Sequence, residues 1–193
     1  MKRLICIFIM TLILFVFIPV KADSRIENAK TCYWEYLTET NAFENGESIQ
    51  YAFVDISGDK LPEMFWTYDS GFHVEICTYN KKGYVKKIDS IRGAYLKIYP
   101  NKKMYYHGGT NTGETWYNYC KVKGQKSIIL TEKYGNDTVN AVTGKRKPYS
   151  QLGKMGPYRY SVKGKTVSKA KYKKYVKKIL KGAKAKRIKW KYL

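Results

Sequence analysis

Between Tyr51 and Trp66 the chain reads YAFVDISGDKLPEMFW, an apolar run, a short acidic turn and a second apolar run. So short a connection commits the two runs to neighbouring antiparallel strands. Counted from Asp55, side-chain oxygens fall at positions one, three and five (Asp55, Ser57, Asp59), Leu61 offers a main-chain carbonyl at seven, and Glu63 stands at nine. Alternate residues of a tight turn point their oxygens inward, and Ca²⁺ takes about six to eight oxygens at about 2.3–2.6 Å, so the spacing predicts a short calcium loop. An EF-hand is excluded, because its twelfth position needs a bidentate Glu and is Trp66 here. The competing reading is a polar turn whose Asp side chains cap their own backbone. Ser57 in place of a carboxylate, and Lys60 where such loops turn on Gly, weaken the calcium reading and hold any affinity to about 10⁻⁴–10⁻³ M.

From Asp55 to Glu63 the stretch resembles the D-x-D-G-D-G-x-x-E/D loop between two strands of FG-GAP and VCBS-type propeller blades. At Tyr51, Asp55, Gly58, Asp59, Pro62 and Glu63 it is also similar to a group of secreted Firmicute proteins of unknown function that carry a single such loop. Outside residues 51–66 the resemblance is looser, extending to a meander of short strands and a terminal helix opening at Ser168. It implies a structural Ca²⁺ held by Asp55, Ser57, Asp59, Leu61 and Glu63.

The N-terminus carries Lys2 and Arg3, an apolar run from Leu4 to Val20, and a small-residue site ending at Ala22. That is the pattern of a secretory signal peptide over residues 1–22, with an uncleaved membrane anchor as the alternative. The remainder is long enough for one domain with a real core. It keeps three cysteines, Cys32, Cys77 and Cys120, so an exported chain forms at most one internal disulfide with a thiol left over, or none. Stability therefore rests on packing, for which 19 tyrosines supply area.

Ser24 and Glu27 have capping-box spacing, and Ile26, Ala29, Tyr33, Tyr36 and Leu37 recur at helical period, predicting an amphipathic helix over 25–38. From residue 49 strand-like runs alternate with turn signals: 50–56, 61–69, 72–79, 83–90, 93–99, 102–107, 114–122 and 126–133. The fold class expected is mainly β, an antiparallel β-meander of two blade-like units with an N-terminal helix and a C-terminal amphipathic helix. Two units are too few to close a propeller, so a two-layer or strongly curved sheet is expected. Residues 138–157 read as a mobile basic loop and 158–162 as a short strand. Ser168 caps a helix over 168–181 with a Tyr172, Tyr175, Val176, Ile179, Leu180 stripe, stopped by Gly182. Ile188, Trp190 and Tyr192 alternate with basic residues as a terminal edge strand.

Charge is divided along the chain. All 15 acidic residues lie between Asp23 and Asp137, and 138–193 holds 19 basic residues and no acidic one. Lys169, Lys173, Lys174, Lys177, Lys178, Lys181, Lys184 and Lys186 are therefore candidate contacts to a polyanion. Lysine outnumbers arginine there, which suits diffuse attraction over bidentate recognition and argues against a specific nucleic-acid site. The competing reading is a solvated lysine face on a helix that packs by its apolar stripe.

Three further constellations carry chemistry. His73, Glu75 and Cys77 alternate on one strand as a candidate Zn²⁺ trio, against a half-exposed sheet face with a buried thiol. His107 to Glu114 reads as a glycine-rich loop with one His and one Glu, without nucleophile elbow or phosphate-loop residues. Tyr105, Tyr106, Trp116 and Tyr117 are candidate sugar contacts, against cross-strand packing pairs. Together these readings predict a secreted, non-enzymatic surface or envelope protein whose cationic region is drawn to an anionic cell-wall polymer or membrane surface. The alternative is a secreted carbohydrate-binding module or hydrolase using the aromatic strands and the His107 loop.

Overall fold

The computed structural model describes residues 21–40, 48–68, 73–80, 82–92 and 95–193, with the backbone alone at 21–23. The expected signal peptide lies outside them apart from Lys21 and Ala22, which open helix α1, Lys21–Glu39. Ser24 thus sits inside α1 and does not cap it, contrary to the capping-box reading, and Glu27 pairs instead with Lys30 at 2.6 Å.

Among the described residues eleven strands form two antiparallel sheets. The first has the order β11-β1-β2-β3-β4 and the second β10-β9-β8-β7-β6-β5. β1 (Gln50–Val54), β2 (Glu63–Thr67), β3 (His73–Tyr79) and β4 (Val85–Arg92) are one meander. β5 (Tyr95–Tyr99), β6 (Met104–Asn111), β7 (Glu114–Val122) and β8 (Ser127–Asn136) are the second. These are the two units read from the sequence, laid face to face.

Alternation explains the layering. Ala52, Val54, Phe65, Val74, Ile76 and Ile91 of the first sheet meet Ile98, Tyr105, Cys120 and Val122 of the second in one core. The opposite face of the first sheet offers Met64, Trp66 and Cys77 to Ala29, Tyr33 and Leu37 of α1. With both faces covered, every residue of β2 is buried.

The basic third of the chain is built into this frame. β9 (Arg159–Val162) and β10 (Lys165–Thr166) extend the second sheet beyond β8. Helix α2, Lys169–Leu180, is capped by Ser168, whose hydroxyl accepts from the Lys171 N–H. Gly182 follows it with φ +68°, the left-handed stop that glycine allows without strain. Ile188 is buried in the inter-sheet core, and β11 (Lys191–Tyr192) pairs with β1. The edge strand expected over 188–192 is thus shortened, because Ile188 and Trp190 pack inward first. Residues 138–157, expected as a mobile loop, are held by bonds from the buried Lys147 ammonium to the Asn136 and Lys154 carbonyls at 2.7 and 2.5 Å.

Two bulges steer side chains. One between Ile76 and Cys77, opposite Asp89 and Lys87, breaks the alternation of β4. Asp89 and Ile91 consequently face the core side while Lys87 faces out to Glu75 at 2.8 Å. The other, between Tyr119 and Cys120, bends β8 along β7.

Candidate functional site

The acidic turn closes on its own backbone. Asp55 accepts from the Gly58 and Lys60 N–H groups at 2.7 and 3.0 Å, Asp59 from Leu61 at 2.9 Å, and Glu63 from Ile56 and Ser57 at 2.8 and 3.2 Å. Gly58 and Lys60 both have positive φ, at +73° and +71°, so Lys60 accepts the left-handed geometry that its side chain disfavours. Leu61 is buried at the end of the turn.

Glu63 is only 1 % exposed. Burial raises its carboxyl to about 6, the Ile56 and Ser57 donors oppose that rise, and Asp59 adds to it. The folded value lies above the ordinary 4.5, so the fold favours the protonated acid. This contribution to stability is complete below the unfolded value and is lost as pH rises through the folded one. Glu63→Gln cannot ionise, and its stability relative to the parent is expected to improve by on the order of 2 kcal/mol between pH ~4 and ~7. Denaturant midpoints across that range read it, and a constant difference would contradict the buried-charge penalty.

A second polar group lies in the seam between the sheets. Register places Tyr105 opposite Cys120 and His107 opposite Asn118 on the inner face of β6 and β7. Asp89 reaches them from β4 of the facing sheet, accepting hydrogen bonds from the Tyr105 hydroxyl and from Ser127 Oγ, the latter at 2.9 Å. Ligand atoms of Asp89, His107 and Cys120 all lie within 4.8 Å of one another. Burial pushes the Cys120 thiol up to about 12, so it is no nucleophile at neutral pH. Burial also draws His107 below its ordinary value, partly offset by Asp89.

The third group is an open trough of about 500 Å³ on the outer face of the second sheet. Tyr95, Lys97, Tyr106, Tyr117, Tyr119 and Lys133 line it from the strands, with Tyr172 and Val176 of α2 along one side. Tyr106 and Tyr117 lie parallel, 6.1 Å between centroids and 4° between planes. The Lys133 ammonium stands 5.1 Å from the Tyr117 ring centroid and 4.0 Å from that of Tyr158. Burial chiefly, and the Lys169 charge second, lower the pKa of Lys133, so both disfavour its charged form. Beside the trough α2 turns outward Lys169, Lys173, Lys174, Lys177 and Lys178, all exposed. Lys181, Lys184 and Lys186 follow, also exposed, on a segment pinned by Lys184 N–H to Asn101 and Lys186 N–H to Ile98. Among the described residues the ion pairs are Lys30–Glu27, Lys87–Glu75 and Arg159–Glu132, and none uses these lysines.

Other sequence candidates disperse. His73 faces Ser90, Glu75 pairs with Lys87, and Cys77 is buried against α1, so the strand trio does not converge. His107 to Asn111 is strand and only Thr112 and Gly113 turn the chain, so the expected glycine-rich loop is a tight hairpin. Gly108 belongs in that strand because Tyr117 covers it: a Cβ there would sit 2.3 Å from the ring. The four aromatic candidates divide: Tyr105 is buried in the core, Tyr106 and Tyr117 line the trough, and Trp116 lines a separate cleft with His107. Cys32, Cys77 and Cys120 are all free thiols. The seam cluster was missed because Asp89 and Ser127 carry no motif, and only strand register brings them to Cys120.

Comparison with known proteins found no matching family model, no similar curated protein and no similar solved structure.

Proposed function

We propose that this is an exported, non-enzymatic protein that binds anionic polymers of the cell envelope through the tyrosine trough and the lysine face of α2. The observation that carries the reading is the exposed lysine row of α2, unpaired among the described residues, set against the trough. Fixed cations with no acidic partner among the described residues draw a polyanion from a distance, and the tyrosine rings beside them give its C–H groups an apolar surface to pack on. Within this reading Ca²⁺ binds the acidic turn only weakly, at roughly 10⁻⁴–10⁻³ M, because the ion must share carboxylates that already hold five backbone N–H groups.

A second reading, a neutral-glycan module, is favoured by the parallel Tyr106 and Tyr117 rings. Titration with polyglycerol phosphate and with neutral dextran of equal length separates the two. The polyanion is expected to bind and dextran not to. Tyr106→Ala with Tyr117→Ala is expected to weaken polyanion binding only about fourfold, in keeping with about 0.8 kcal/mol for a buried CH₂ contact, because glycerol phosphate units meet the rings through C–H groups alone. Equal binding of both polymers supports the glycan module, and no binding of either removes both readings.

A further inference from the structure

We propose that Asp89, His107 and Cys120 form a binding site for a transition-metal dication of the Zn²⁺ class, set between the two sheets. A carboxylate from β4, an imidazole from β6 and a thiol from β7 bring oxygen, nitrogen and sulfur within 4.8 Å of one another. That donor set selects Zn²⁺ and its borderline neighbours, whereas Ca²⁺ and Mg²⁺ take oxygen ligands. Tetrahedral bonds of about 2.0–2.3 Å place ligands roughly 3.3–3.8 Å apart, so the cluster needs to contract by about 1 Å.

The surroundings fit such a site. His107 is 7 % exposed, and its Nδ1 has no hydrogen-bond partner while Nε2 lies 3.4 Å from the Asn118 amide. A buried ring nitrogen without a partner is costly, and a metal ion would satisfy it. The Tyr105 and Ser127 hydroxyls hold the Asp89 carboxylate, as hydrogen-bonded outer groups commonly orient a metal-binding carboxylate. The bulge beside Ile76 turns Asp89 inward, and the one beside Cys120 adapts its sheet, the kind of irregularity that gathers at functional sites. A cleft of about 420 Å³, walled by Arg92, Trp116 and Asn118, opens on His107. It gives the ion a route in and can supply water as the fourth ligand.

The test is equilibrium dialysis of the chelator-treated full chain against Zn²⁺ alone, followed by X-ray absorption of the loaded protein. One equivalent is expected to bind, with one sulfur and the remaining donors nitrogen or oxygen. Cys120→Ser is expected to weaken binding by more than about a hundredfold, beyond the usual loss from an outer-group mutation. Cys77→Ser, at the other buried thiol, should leave binding unchanged. If Cys120→Ser fails to fold, the absorption spectrum of the parent protein decides. A metal shell without sulfur, or no stoichiometric binding, overturns the proposal.

Discussion

Charge reversal at Lys173, Lys174, Lys177 and Lys178, each to Glu, is expected to weaken binding to polyglycerol phosphate by at least a hundredfold. A lysine near an anionic surface contributes about 1 kcal/mol, so loss of four such contacts alone amounts to about 4 kcal/mol, before repulsion is counted. All four side chains are exposed, and among the described residues none of them has an ion-pair partner to lose. The fold should tolerate the change. The α2 stripe, including the buried Tyr172, is untouched, and new i, i+4 pairs of Lys169 with residue 173 and of residue 177 with Lys181 offset part of the unfavourable charge near the helix end. Titration calorimetry reads the affinity and circular dichroism the helix. A folded variant that binds as tightly as the parent would show that the lysine face is only solvated surface.

Asp89→Ala is expected to be the most destabilising of the substitutions considered, by about 2–4 kcal/mol in the presence of chelator. Its carboxylate is the shared acceptor for the Tyr105 and Ser127 hydroxyls, so removal leaves two donors in the seam without their charged partner. A hydrogen bond to a charged group contributes about 1.5–3 kcal/mol, and partial exposure of Asp89 lets water recover some of the loss. Asp89→Asn keeps an acceptor and should lose less than half as much. Urea midpoints at unchanged slope read both variants. Equal stability of parent and Asp89→Ala would mean that the seam is held by its apolar residues alone.

Local rules made the frame legible. Alternating apolar residues around the acidic turn define β1 and β2, turn residues separate the two meanders, and Ser168 with Gly182 delimits α2 to within a residue. The readings that failed depend on what local rules do not contain. Period-two alternation across β4 would place Lys87 with Asp89 on one face, and a single bulge separates them. The glycines at 108 and 109 signal a loop in sequence, yet Tyr117 takes up the space above Gly108. The terminal strand is legible as alternation over 188–192, but that Ile188 enters the core and β11 pairs with β1 is not. The seam cluster needed the pairing of Tyr105 with Cys120 and the approach of β4, both long-range facts.

Salt dependence of binding by the unmodified protein tests the proposed function most directly. Affinity for polyglycerol phosphate should fall linearly on a double-logarithmic plot, with a slope of about −0.7 per phosphate contacted, hence near −3 for four contacts. That corresponds to a loss of roughly fiftyfold between ~50 and ~200 mM salt. A slope near zero would contradict attraction by the α2 lysines, whatever the protein then proved to bind.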